Sequence, residues 1–149
     1  MENNKYFTPD IEDLCVGYEC EINNIHGKWE SITITFTNSN SFYKTDLAEV
    51  CLLVEDKYVR VPYLTKEQIE AEGWEYKNRS TDLWFERKQI FLRKDGYHLE
   101  NIKLQYGLHD YRLKISFVYV GDDEESTGAY LGECKDINTF RKIIKLLEI

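Results

Sequence analysis

Residues 111–119, YRLKISFVY, alternate without a fault: Tyr111, Leu113, Ile115, Phe117 and Tyr119 on one side, Arg112, Lys114 and Ser116 on the other. A period of two is what a half-buried strand requires, because successive side chains leave a pleated backbone on opposite faces. A chain that contains such a strand must place it in a sheet with one face covered and one face wet. Upstream, 83–87, 89–94 and 99–106 read as further strands, with Asp95-Gly96 as a hairpin signal and a turn over Gly107, Leu108, His109 and Asp110. Residues 129–133 read as the last strand. Strands this close together, joined by turns, predict an antiparallel meander.

The opening stretch FTPDIEDLCVGYECEI, residues 7–22, crowds two cysteines and five carboxylates around one glycine. From Val16 the same alternation holds. Val16, Tyr18, Cys20 and Ile22 share a face, and Glu19 and Glu21 lie opposite. Cys20 therefore reads as a small buried hydrophobe. Pro9 suits the first turn of a short helix, whose amide end favours Asp10, Glu12 and Asp13. Turn residues at 23–27 lead to a second strand in which Ile32, Ile34 and Phe36 alternate with Ser31, Thr33 and Thr35, closed by TNSNS at 37–41. The segment 46–64 fits two patterns. Leu47, Val50 and Val54 suit a short helix, while the apolar run 50–54 suits a buried strand equally well. We read it as a strand over 50–54, a turn at Glu55-Asp56-Lys57, and an edge strand over 58–61 ending at Pro62.

Two helices carry their own punctuation. In LTKEQIEAEGW, residues 64–74, Thr65 is an N-cap and Gln68 completes a capping box; Leu64 and Ile69 can staple, and Gly73 stops the helix. In DINTFRKIIKLLEI, Asp136 is the N-cap, and Ile137, Phe140, Ile143, Ile144 and Leu147 make one apolar stripe. The predicted architecture is one α+β domain over 1–149: a mostly antiparallel sheet, a short mid-chain helix, and a C-terminal helix packed on one face. At 149 residues the chain has the length of a single domain.

The net charge of −8 opposes phosphate backbones, so direct nucleic-acid binding is not expected. No apolar run approaches a membrane span, and MENNKYFTPD lacks a signal-peptide pattern. The expected location is the cytoplasm, where Cys15, Cys20, Cys51 and Cys134 are reduced thiols.

Reactive constellations are sparse. Cys15 and Cys20 are spaced C-x4-C with His26 beyond, but on a strand the two thiols point to opposite faces, which does not suit a tetrahedral zinc site. The acidic run 122–125 lacks the alternation and central glycine of a calcium loop. Glu133-Cys134-Lys135 is an E-x-K triplet of the kind that holds magnesium in restriction-endonuclease-like folds, with Asp110 or Asp122 as the upstream acid. Glu86-Arg87-Lys88 repeats it by chance, and that fold needs a strand after the helix. There is no G-x-S-x-G elbow; Ser126 stands alone, and nothing selects a Cys134–His98 pair. Glycines occur singly, as turn and cap residues, so no phosphate loop is read. No catalytic residue, metal ligand or cofactor is assigned. What remains is a binding surface. Tyr97, Tyr106 and Tyr111, with Arg112 and Lys114 on the opposite face of the regular strand, could cradle a small anion or nucleotide. The competing reading makes the tyrosines ordinary sheet formers with wet tips.

Three segments, FTPDIEDLCVGYECE, VRVPYLTKEQIEAEGW and GECKDINTFRKIIKLLEI, resemble small uncharacterised accessory proteins carried by phages and mobile elements of gut bacteria with AT-rich genomes. The resemblance carries no activity and no functional residue. It implies a setting: a non-enzymatic phage-type accessory protein that binds a host component in the host cell cytoplasm, inhibition of a bacterial defence system being one purpose. Such a protein would act either as a protein-binding inhibitor or by sequestering a nucleotide. The expected partner is a host protein or a small nucleotide ligand, with no membrane and with homo-oligomerisation left open. The alternatives are a metal-dependent nuclease-like enzyme using Glu133 and Lys135, a thiol hydrolase, and a virion or assembly component.

Overall fold

A computed structural model describes residues 5–24, 26–35, 46–78, 81–119 and 126–149. Phe36, the turn expected at 37–41 and the acidic run 122–125 lie outside the described residues. The chain divides into two units, Met1–Tyr63 and Leu64–Ile149. The class is α+β, and among the described residues the strands form two antiparallel sheets, one in each unit.

In the first unit, β1 (Tyr6–Phe7), β2 (Glu19–Asn23), β3 (Trp29–Thr33) and β4 (Val59–Pro62) assemble in the order β1-β4-β2-β3. The expected pairing of the first two long strands is present, with Cys20 opposite Ile32. Val16 departs from the expected face. Gly17 at φ +89° turns the chain before β2 begins, which leaves Val16 exposed while Tyr18, Cys20 and Ile22 are buried. The strand expected at 50–54 is a helix, α1 (Leu47–Glu55). Asp46 decides it by accepting a hydrogen bond from the Ala48 amide at 2.8 Å. The helical spacing then buries Val50 and Val54 against Cys20, Ile22, Val59 and Val61, and turns Leu52 outward. Lys57 ends the helix at φ +60°. The segment expected as an edge strand is internal, since β4 lies between β1 and β2.

The other face of this sheet carries a stack. The Arg60 guanidinium carbon sits 3.6 Å from the Tyr6 ring centroid and 4.1 Å from that of Trp29. Its Nε donates to Glu21 Oε2 at 2.7 Å. One cation thus ties β1, β2, β3 and β4 together across the sheet. Each half-buried cation–π contact is worth about 0.5–2 kcal/mol. Arg60→Ala should cost about 2 kcal/mol in urea unfolding. Arg60→Lys should recover only part of that, because an ammonium cannot stack flat between two rings.

In the second unit, α2 (Lys66–Ala71) has the expected capping box: Thr65 Oγ1 accepts from the Gln68 amide and Gln68 Oε1 from the Thr65 amide. Gly73 takes φ +90°, as its stop position demands. Strands β5 (Glu75–Lys77), β6 (Leu83–Arg93), β7 (Gly96–Tyr106), β8 (Arg112–Tyr119) and β9 (Ser126–Glu133) form a meander in sequence order. Instead of two short strands, β6 runs unbroken through Lys88 and pairs with β7 along its whole length. Residues 94 and 95 make the turn, and Gly96 at φ +125° supplies the backbone conformation that a side chain would oppose. Helix α3 (Ile137–Leu146) starts at Asp136, whose Oδ1 accepts from the Thr139 amide at 2.8 Å. Ile137, Phe140 and Ile143 pack with Ile69 and Trp74 over Phe85, Ile102, Leu104, Leu113 and Ile115. This covers one face of the meander, and the described residues of this unit leave the other open.

Candidate functional site

Register decides which side chains share the open face. Because Trp84 pairs with Gln105 and Gln105 with Lys114, these three project together, as do Lys103 and Ser116. Arg112 and Lys114 lie on this face and are exposed. Tyr106 has the opposite parity and is wholly buried, its hydroxyl donating to the Cys134 carbonyl at 2.9 Å. Desolvation at that site drives its pKa upward. Tyr111 sits half-buried at φ +55°, in the turn ahead of β8. Tyr97 is at the far end of β7, nine residues from Tyr106, which is roughly 30 Å along a strand. Of the five residues read from the sequence as a ligand site, the structure brings together Arg112 and Lys114. They line a groove of about 200 Å³ with Asp82, Gln105 and Asp110. That is below the 300–1,000 Å³ usual for a small-molecule site, and its walls carry two carboxylates.

Tyr97 belongs to a different feature. Strand β5, among the described residues, pairs with β6 at Trp84, Phe85 and Glu86, and β8 pairs with β7 from Glu100 onward. Among the described residues, β6 and β7 therefore continue as a two-stranded ribbon from Lys88 to Leu99, roughly 20 Å long. Its inner face is anchored where Phe91 meets Phe117 edge-on at 5.6 Å. On its outer face the cross-strand pairs are Ile90 with Leu99 and Leu92 with Tyr97. These four side chains are 64%, 43%, 72% and 76% exposed. Burying such a side chain is worth about 1.5–3 kcal/mol, so the ribbon holds most of that in reserve. Lys88 and Lys94 flank the strip, and Lys103, Lys114 and Arg112 continue along the same face of the sheet. Acids share that face: Glu75 is paired with Lys77 at 2.6 Å, Glu133 with Lys135 at 3.3 Å, and Glu86 stands opposite Lys103 in the register. The strip could have been found by folding 88–99 on paper around residues 94 and 95. That registers Ile90-x-Leu92 against Tyr97-x-Leu99, although strand pattern alone does not reveal that, among the described residues, no third strand pairs beside them.

The reactive candidates are dispersed. Cys15 is exposed and Cys20 buried. Burial, with the Glu21 charge adding to it, pushes the Cys20 thiol up to about 12. Burial, reinforced by Asp136, does the same to Cys134. Glu133 and Lys135 pair with each other at the surface, and Asp110 Oδ1 accepts from the Arg112 amide within its own turn. Asp122 lies outside the described residues. His98 holds Asp95 at 2.9 Å beside the ribbon turn, at the other end of β7 from the strand ends near Cys134. Among the described residues, no three of His, Cys, Asp and Glu gather in a way that could hold a metal ion. No described helix is long and apolar enough to cross a membrane. No family model matches the chain, and no match was found among curated proteins or solved structures.

Proposed function

We propose that this is a non-enzymatic accessory protein of the phage type, which binds a host protein through the outer face of the β6–β7 ribbon and thereby blocks a bacterial defence system. The observation that carries the reading is the row Ile90, Leu92, Tyr97 and Leu99, held outward on a two-stranded arm. An exposed apolar strip on an uncovered ribbon invites aggregation unless a partner covers it. The partner chemistry follows from the surroundings: an apolar ridge set in an acidic surface, complementary to Lys88, Lys94, Lys103 and Lys114. A second copy would oppose lysine to lysine across the same strip, which disfavours self-pairing there. Aromatic anchors such as Tyr97 commonly dominate interfaces of this kind.

The test is phage plating on a defence-bearing host that expresses the protein. The wild type should restore plaque formation, and the double variant Leu92→Asp/Tyr97→Asp should not. Both positions are exposed, so the variant should unfold at the same urea concentration as the wild type. With the target purified, the double variant should bind more than about a hundredfold more weakly. A folded double variant that protects phage as well as the wild type overturns the reading.

A further inference from the structure

The first unit contains a cleft of about 630 Å³ between α1 and the turn that joins β2 to β3. That volume falls in the range of small-molecule sites. Ile22, Leu52, Leu53 and Tyr58 supply apolar walls, with Leu52 67% and Tyr58 47% exposed toward solvent. The two sides are tied by the Asn23 amide, which donates to the Tyr58 carbonyl at 2.8 Å. Of the two asparagines in the lining, Asn24 is committed to its turn. Its Oδ1 accepts from the amides of His26 and Lys28, and its Nδ2 donates to Glu30. Asn23 pairs with Trp29, so its side chain leaves β2 on the face away from α1, where its Oδ1 is buried. The charged residue in the lining is Glu49. Among the described residues that line it, the cleft thus offers apolar walls and one carboxylate, and no cationic side chain. The segment 1–63 carries 11 acids against 5 bases, so the surrounding field also favours cations.

We infer that this cleft binds an organic cation, meaning an apolar, ring-sized body that bears an ammonium or other N–H donor, seated with its cationic end toward Glu49. Anionic ligands, nucleotides included, are excluded by the same chemistry. The site is separate from the ribbon face, and the two can fail independently.

The experiment is an NMR titration of the ¹⁵N-labelled full chain, following the amides of Leu52, Leu53 and Tyr58. Three probes share one ring: tryptamine (cationic), 3-methylindole (neutral) and indole-3-propionate (anionic). Tryptamine should give saturable shifts at these amides and bind at least about tenfold more tightly than indole-3-propionate. Glu49→Gln should weaken tryptamine about three- to fivefold and leave 3-methylindole unchanged, as expected for a partly exposed ion pair. Leu52→Trp, on an exposed helix position, should plug the cleft and abolish the shifts with all three probes. The inference is overturned if indole-3-propionate binds as tightly as tryptamine, if Glu49→Gln leaves tryptamine affinity unchanged, or if millimolar tryptamine moves none of the three amides.

Discussion

Phe140→Ala should destabilise the second unit by about 3–5 kcal/mol, a large share of the 5–15 kcal/mol that usually separates a folded domain from its unfolded chain. The reason is geometric. Helix α3 meets the meander through one stripe, and Phe140 is its largest member, with no exposed surface. The ring lies edge-on to Trp74 with centroids 6.4 Å apart, and belongs to the same cluster as Phe85, Leu104 and Ile115. Removing it loses the transfer energy of the ring and leaves a hole that β-sheet neighbours, held by their ladders, cannot close. Urea unfolding followed by near-UV circular dichroism reads the change through the Trp74 environment. Leu146→Ala serves as the control, because that side chain is 82% exposed and should cost less than about 0.5 kcal/mol. A Phe140→Ala midpoint within the error of the control would mean that α3 does not cover this sheet.

The second unit was largely legible because its signals are local. The alternation over 111–119, the Thr65–Gln68 capping box and the Asp136 cap each occupy a few consecutive residues, and each element formed where the pattern put it. The run 50–54 was not legible, because five successive apolar residues have no period. The outcome turned on one hydrogen bond at Asp46 and on a core that receives Val50 and Val54 together. The sorting of strands into two sheets was hidden for a different reason. Strand β4 pairs with β2 across 39 residues, Arg60 opposite Glu21, and nothing in either segment names the other. Sites suffer most from this. Parity put Arg112 and Lys114 on the face opposite Leu113 and Ile115, but it was not carried across to Tyr106 on the neighbouring strand, and parity does not say which face a helix will cover. Helix α3 took the Tyr106 side, so the tyrosine became core while the cations stayed wet. Among the described residues, the ribbon depends on how far β5 and β8 pair along it, and the cleft on bringing Ile22, Asn24 and Gly27 beside Glu49, Leu52, Leu53 and Tyr58. Both are properties of the extent of strand pairing and of long-range contacts, which sequence periodicity does not carry.

Thiol labelling should separate the cysteines sharply and bear directly on the hydrolase alternative. Cys15 is exposed and should react first with iodoacetamide in the folded protein. Cys20 and Cys134 should resist. Both are buried, and burial lifts each thiol from 9.0 to about 12, because a thiolate there would lose its hydration without gaining a cationic neighbour. A nucleophilic cysteine needs the opposite environment. Only the thiolate reacts, so a thiol held near 12 has a reactive fraction at pH 8 about a thousandfold below that of the same thiol in the unfolded chain. Mass spectrometry of the labelled peptides, with and without urea, measures the ratio. The same two raised thiols fix an alkaline limit. Below pH 9.0 both folded and unfolded forms keep these protons, so the full contribution to stability is present. Between 9.0 and about 12 the unfolded chain gives up protons that the folded one retains, and each thiol should subtract about 1.4 kcal/mol per pH unit. Rapid labelling of Cys134 in the folded protein at neutral pH would put a reactive thiol at the end of β9, beside Glu133 and Lys135, and would revive the enzymatic reading at the expense of the ribbon.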